Sequence, residues 1–358
     1  MQEKNNTLNF NGQDIYVGID THLRQWTVTI MLAHSTYKTF SMNPCAKELG
    51  NYLHKHFPGG NYYSAYEASF CGFSVHFELL NNGIQNIIVN PSDIPTTDKE
   101  RKQKEDMRDS RKIAKSLRSG DLEGIYVPSK GSIEFRGLVR YRKTLVKEIS
   151  RNKNRIKSLI YFHGIKIPAS HNTASEYWSG KFTEWQLTLE FTTGNGKKVL
   201  EGLINITHYL RKCLLDVNRS LRDNLKEGAY FRALNLLCSI PGIGLIAAST
   251  FLSEIENFNR FPNLDKPCCY IGLVPRTDSS GEREQDGGIT PRSNKPLRNV
   301  LIESAWIAVR HDPALALAFN ELCQRMGKNN AIIRIAKKLL NRIRYVMKNN
   351  TEYEYAVV

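Results

Sequence analysis

The stretch IYVGIDTHLRQWTVTIMLAHSTYKTFSM, residues 15–42, decides how the amino-terminal third of the chain is read. It holds three β-rich runs, IYVGI (15–19), QWTVTIML (25–32) and TYKTFSM (36–42), joined by short polar connections, which is the pattern of an antiparallel meander. Downstream the period changes. PCAKELGNYLHKHF (44–57) has helical spacing, PGGN is a turn and YYSAY (62–66) is a strand. FCGFSVHFELLNN (70–82) is an amphipathic helix closed by Gly83, and IQNIIVN (84–90) is a buried strand stopped by Pro91. A loop rich in Thr, Pro and charge then leads into KEDMRDSRKIAKSLRSG, a helix with Gly120 at its stop. The order β-β-β-α-β-α-β-α is that of the ribonuclease-H-like α/β fold, three antiparallel strands followed by parallel ones with helices on the sheet. Fold alone does not set function.

Outward from this block, the rest of the 358 residues exceeds what one core serves. From Ile133 to Ile160, apolar or aromatic residues recur at Leu138, Tyr141, Leu145, Ile149, Ile156 and Leu159, the spacing of one long amphipathic helix. GKKVLEGLINITHYLRKCLLDVNRSLRDNL (196–225) reads as a second, so the two form a long helical coiled-coil connector with a less regular insert (165–197) between them. The expected organisation is a catalytic domain over 10–128, this arm over 129–229, a mostly α-helical domain over 230–346 and a tail over 347–358. Within the third domain Gly242, Gly244 and Ala247 imitate a dinucleotide fingerprint. FRALNLLC before it has helical spacing, so the strand that the fingerprint requires is missing. The PGIG turn suits either a phosphate-binding helix-hairpin-helix or a plain interhelical turn.

Charge narrows the partners. Lys and Arg number 50 against 35 Asp and Glu, a net +15. Residues 1–128 are neutral, whereas 129–229 carry +10 and 230–358 carry +5. A basic excess of this size suits a polyanion, because each phosphate neutralised releases condensed counterions. Arg140, Lys143 and Lys147 lie on the basic face of the first long helix and are candidates for a nucleic-acid backbone; the same pattern also suits the charged exterior of a coiled coil. No run approaches the ~20 apolar residues of a membrane span, and MQEKNNTLNFNGQD has no apolar signal region, so a soluble cytoplasmic protein without a membrane partner is expected. The seven cysteines are odd in number without CxxC spacing, which reads as reduced, buried thiols. His54 and His56 are two apart on a helix, the wrong spacing for a zinc pair.

Four acids carry the chemistry. Asp20 closes the first strand, and Glu67 follows the fourth, which lies beside the first in a ribonuclease-H-like sheet. Asp106 and Asp109 are three apart and share one helix face. Carboxylates so gathered raise one another's pKa, and a divalent cation resolves the repulsion. Hard oxygen ligands suit Mg²⁺ or Mn²⁺, and two such ions serve phosphodiester chemistry. Each acid taken alone reads as a cap or a solvated charge. No organic cofactor site is legible.

The YVGID start, the YEAS glutamate, the KEDMRDSRKIAKSL helix, LVRYRKTLVKEISRNKNRIKSLI, PGIG, IENFNRF, YIGLVPRTDSSG, GGITPRSNKPLR and ESAWIAVR together resemble the DEDD-type insertion-sequence transposases, the IS one-ten family, relatives of the pilin-gene DNA invertase. The resemblance covers roughly residues 15–346 in family order. It implies a Holliday-junction-resolvase-like (RuvC-like) first domain whose acidic quartet is Asp20, Glu67, Asp106 and Asp109. It also implies a transposase domain with a serine nucleophile at Ser280, a residue that in its Gly-, Asp- and Arg-rich loop would by itself read as a turn. A serine nucleophile conserves the phosphodiester bond energy in a phosphoserine link, and Arg276, Arg292 and Arg298 flank it as candidates to hold the scissile phosphate. The resemblance further implies DNA at element ends and targets, a non-coding bridge RNA, a dimer or tetramer during synapsis, and a place on the prokaryotic nucleoid. Ser293 and Pro296 depart from the residues frequent in the family. Two other classes stay open: a metal-dependent junction nuclease in which water attacks, and a non-catalytic nucleic-acid-binding protein whose acids are structural.

Overall fold

The structure, a computed structural model, describes residues 9–95, 106–171, 173, 177–226, 230–280, 283–290 and 293–355, with backbone alone for 275–280 and 283–289. The chain forms two compact units that meet in sequence between Val127 and Pro128. Among the described residues, no helix is long and apolar enough to cross a membrane.

The first unit is built on a five-stranded sheet. Strands β1 (Asp14–Thr21), β2 (Trp26–Met31) and β3 (Thr36–Met42) form the antiparallel meander. After helix α1 (Ala46–His56), strand β4 (Asn61–Glu67) lies parallel to β1; after helix α2 (Ser74–Asn81), β5 (Gln85–Val89) lies parallel to β4. The strand order is β3-β2-β1-β4-β5, so β1 is central and pairs on both sides. The alternation within β1 sorts its residues by face. Ile15, Val17 and Ile19 are fully buried in one cluster with Val28 and Ile30 of β2, Leu49 and Leu53 of α1, and Leu79 of α2. Burial of each such side chain contributes roughly 1.5–3 kcal/mol. Gly18 and Asp20 belong to the opposite face, covered by helix α3 (Asp106–Ser119).

Contact between α3 and the sheet is made through small side chains. A Cβ on Gly18 would lie 2.1 Å from the Ser110 carbonyl oxygen and 2.4 Å from the Ala114 nitrogen, so only glycine lets the helix backbone come this close. Beside it the hydroxyls of Ser110 and Thr29 are 2.9 Å apart in a buried hydrogen bond, and Ile113 packs with Ala65 and Val89. This close docking sets the depth at which the first turn of α3 meets the end of β1.

The second unit begins with α4 (Lys130–Phe162) and, after the short α5 (Gly180–Thr188), continues with α6 (Gly194–Lys226). At 33 residues each, α4 and α6 span about 50 Å. They run antiparallel: Phe135 and Val139 share a cluster with Leu221 and Leu225, whereas Ile156 and Ile160 share another with Leu200 and Ile204. Between these, the Asn152 amide donates to the Leu203 carbonyl (2.7 Å) and the Thr207 hydroxyl (2.8 Å), and Arg142 donates to Asn218 (2.7 Å). The insert is less irregular than its composition suggests, since Ser179 accepts from the Phe182 N–H and caps α5.

Helices α7 (Phe231–Cys238), α8 (Leu245–Ile255), α9 (Asp265–Ile271), α10 (Lys295–His311), α11 (Pro313–Arg325) and α12 (Lys328–Asn349) complete this unit around a shared core. A hairpin of β6 (Pro275–Ser280) and β7 (Arg283–Ile289) leaves between α9 and α10. The run before PGIG is helical, and Gly242, at φ +84°, packs under α10, where a Cβ would meet the Ser304 carbonyl oxygen at 2.3 Å. The thiols are free but not uniformly buried: Cys268 is buried, whereas Cys238 and Cys269 are exposed.

Candidate functional site

The site is organised by the end of β1. Gly18 pairs with Ala65 and Ile19 with Tyr66 across the parallel β1–β4 ladder, so the next positions along are Asp20 and Glu67. Each stands two residues beyond a position on the α3 face, Gly18 and Ala65, and alternation returns both acids to that face. Asp106 and Asp109 occupy the first turn of α3, where acids also suit the positive end of the helix dipole.

Asp20 records the company it keeps. Its carboxyl is pushed up to about 6, first by burial, with His22 opposing the rise and the charges of Asp106, Asp109 and Glu67 adding to it. The other three acids therefore all act on Asp20. The closest group is Asp20, His22 and Asp106, whose ligand atoms lie within 4.8 Å of one another. His22 Nδ1 is 3.6 Å from Asp20 Oδ1. Two donors bound at ~2.1 Å to one cation cannot be more than ~4.2 Å apart, so small rotations of exposed side chains complete the fit to a divalent ion. Asp109 is one turn along α3 and 3.4 Å from the Lys112 ammonium. An open cleft lined by His22, Arg24, Gln25, Thr27, Ser41, Asp106 and Met107 adjoins the group.

His22 is the residue that reading the sequence for helical histidine pairs overlooks. Its signal is its place two residues after Asp20, since i and i+2 share a face along a strand.

In the second unit Arg140 donates to both oxygens of the buried Glu254 carboxylate, at 2.8 and 2.9 Å, in a bidentate pair. Burial would raise the pKa of Glu254, but the hydrogen bonds from Arg140 and Asn294 outweigh it and hold the carboxyl below its usual range. Lys143, half-buried one turn on, is lowered by burial and then by the charge of Lys147, which is exposed. Arg298 donates to the carbonyls of Thr290 (3.1 Å) and Gly272 (3.4 Å). Ser280 is the last residue of β6 and pairs with Arg283; Arg276 pairs with Gly287. The side chains of Ser280 and Arg276, and all of Arg292, lie outside the described residues.

Comparison with known proteins gives the class. A family model for DEDD transposases of the IS110 type matches residues 17–163, which takes in all four acids. The model of the transposase IS116/IS110/IS902 family matches residues 234–320, which takes in the hairpin. Among curated relatives, the y4qE protein of Sinorhizobium fredii is 27% identical over 71% of this chain and 60% of its own length. The y4rJ protein of the same organism is 28% identical over 76% of this chain and 74% of its own length. The transposase for insertion sequence element IS1111A of Coxiella burnetii is 24% identical over 75% of this chain and 73% of its own length. The chain thus spans 60% of the length of the first of these relatives. Over both matched stretches the chain is similar to the IS110 family of insertion-sequence transposases.

Proposed function

We propose that this chain is a site-specific recombinase that cuts and rejoins DNA at the ends of its insertion sequence, with Asp20, Glu67, Asp106 and Asp109 holding Mg²⁺ or Mn²⁺ and Ser280 as nucleophile. The observation that carries this reading is the closeness of Asp20, His22 and Asp106 within 4.8 Å, with Glu67 and Asp109 acting on the same carboxyl. The strand order β3-β2-β1-β4-β5, three strands antiparallel and two parallel, supports a ribonuclease-H-like, RuvC-like first unit.

When bound, the cation supplies charge stabilisation to the scissile phosphate and its leaving oxygen. The residues of the chain do the rest. Asp20 and Asp106 would hold the cation, and Glu67 would support them from the neighbouring strand. The Ser280 hydroxyl attacks phosphorus and gives up its proton; the phosphorus–oxygen bond to the leaving strand breaks, and that oxygen takes a proton. A phosphoserine ester remains, and attack by a new strand end reverses the step without ATP. Lys143 and Lys147 on α4, with Arg276 and Arg292 by the hairpin, meet phosphates. Arg140, whose side chain stays 55% exposed beside Glu254, and Arg298 meet phosphates as well. The paired helices α4 and α6 act as a coiled-coil arm for a dimer or tetramer in synapsis. A non-coding bridge RNA as guide, and action at the nucleoid in the cytoplasm, rest on the family resemblance.

The test is a denaturing gel of element-end DNA incubated with protein and Mn²⁺. A covalent adduct that Ser280→Ala abolishes is expected, and Asp20→Asn should abolish it too. Cleaved ends without adduct would instead identify a nuclease using water, and processing that survives Asp20→Asn would make the acids structural.

A further inference from the structure

Glu254 lies at the carboxyl end of α8, with a side chain only 1% exposed, among the charged side chains least expected to be buried. Its carboxylate accepts from Arg140 twice and from the Asn294 side-chain amide at 2.8 Å; Arg136 stands 3.8 Å away. The backbone takes part as well: the Glu254 carbonyl accepts from the Tyr270 hydroxyl at 3.0 Å, and the Ser253 carbonyl from Arg136 at 2.8 Å. A buried ion pair adds little net stability over an apolar replacement, so stability alone is a poor account of this one.

Its partners suggest another account. Tyr270 is in the last turn of α9, immediately before the hairpin departs, and Asn294 is the N-cap of α10, immediately after it returns. These two are bonded to each other, Asn294 N–H to Tyr270 carbonyl at 3.0 Å and Asn294 amide to Tyr270 hydroxyl at 3.2 Å. Both are bonded to Glu254. One step further out, Arg298 bridges Gly272 and Thr290 across the same two feet, and the Thr290 N–H donates to the Val274 carbonyl at 3.3 Å. Gly272, at φ +83°, has no room for a side chain, since a Cβ would lie 2.3 Å from that of Ser293. The hairpin thus leaves and re-enters the unit through a base tied to Glu254 on both sides, at Tyr270 through the Glu254 carbonyl and at Asn294 through its carboxylate, and Arg140 ties that carboxylate to the long helix α4.

We infer that Glu254 is a positioning residue of the recombinase: it clamps both feet of the β6–β7 hairpin and links them to α4, so that the segment ending in Ser280 is held in one orientation. This rests on the assignment of Ser280 as nucleophile only for its consequence in catalysis; the clamp itself is a statement about the hairpin. Asn294 and Arg140 belong to the same device. Glu254 touches no reacting atom.

The experiment uses the full chain and Glu254→Gln, which keeps the volume but cannot accept the Arg140 fork and the Asn294 amide together. Hydrogen–deuterium exchange in peptides covering 275–289 should quicken at least tenfold, with α11 and α12 unchanged. Adduct formation in a single turnover on element-end DNA should fall at least tenfold, while DNA affinity changes less than threefold. The swap Glu254→Gln with Asn294→Asp restores an amide-to-carboxylate bond with reversed polarity and keeps a good N-cap, so it should recover much of both losses. If Glu254→Gln does not fold, Asn294→Ser keeps the cap, removes the amide from Glu254 and should loosen the same peptides. Unchanged exchange at 275–289 in a folded variant overturns the inference. So does a loss shared equally by DNA affinity, hairpin and bundle, which would mark a merely structural residue. If the wild type forms no adduct while the exchange responds as described, the Ser280 assignment fails and the clamp stands.

Discussion

Asp20→Asn should stabilise the cation-free protein, by an amount that grows from about pH 4 and is complete above about pH 6. The Asp20 carboxyl is pushed up to about 6 from its ordinary 3.8. Between those values the folded state holds a proton that the unfolded chain has released. Stability contributed by this group is therefore greatest in acid, declines as pH rises from about 4 to about 6, and stays at its lower value above that. At ~1.4 kcal/mol for each tenfold, the full cost would be about 3 kcal/mol. The side chain is one-fifth exposed and the neighbouring acids face solvent, so screening reduces this to about 1 kcal/mol. Asparagine has the shape of aspartate and no charge, so at pH 8 with chelator the variant should melt about 3–5 °C higher than wild type. At about pH 3, below both values, the two should coincide. Added Mn²⁺ should reverse the order, because binding to the folded state alone stabilises by RT ln(1 + [Mn²⁺]/Kd) and the variant lacks the central ligand. Scanning calorimetry at both pH values, with chelator and with Mn²⁺, reads all four conditions. A variant that melts lower than wild type at pH 8 in chelator, or that gains as much from Mn²⁺, would refute the claim that the acids converge on Asp20.

Mn²⁺ affinity of the wild type should fall roughly tenfold between pH 7 and pH 5, because the cation must displace the proton that Asp20 keeps up to about 6; titration calorimetry at the two pH values measures this. Gly18→Ala places a Cβ 2.1 Å from the Ser110 carbonyl oxygen, so α3 must shift. It should cost about 1–3 kcal/mol in a urea melt, and Mn²⁺ affinity should fall at least tenfold because Asp106 moves with the helix. Asp312→Ala removes the cap on the Leu315 N–H and strands Arg342 and the Tyr353 hydroxyl, both of which donate to its carboxylate. The expected loss is about 2–4 kcal/mol by urea unfolding, with Mn²⁺ affinity unaffected.

The strands and helices of the first unit were legible because their signals are local. IYVGI and IQNIIVN alternate or run apolar over a few residues, and Gly83, Pro91 and Gly120 mark their limits. The long helices were legible from spacing sustained over many turns. The hairpin was not: PRTDSS and REQDGGI are poor in β-branched and aromatic residues and read as loop, and it is their mutual pairing that makes strands of them. Helix FCGFSVHFELLNN was read four residues too early, since the structure begins it at Ser74. Arg140 and Arg298 carry the same charge in sequence as Lys147, yet the fold engages both, Arg140 with Glu254 while its side chain stays 55% exposed and Arg298 with the carbonyls at the hairpin's feet.

What the sequence by itself determined is the set of segments and the acids they carry, because propensity, period and turn chemistry act over a few residues. Tertiary structure alone decided that Asp106 joins Asp20 and His22, that Gly18 is the seat of α3, and that the buried Glu254 carboxylate bonds both Arg140 and Asn294. Those are distances between residues far apart in the chain, and they are set by how closely one backbone can approach another and by which buried charge must find a partner.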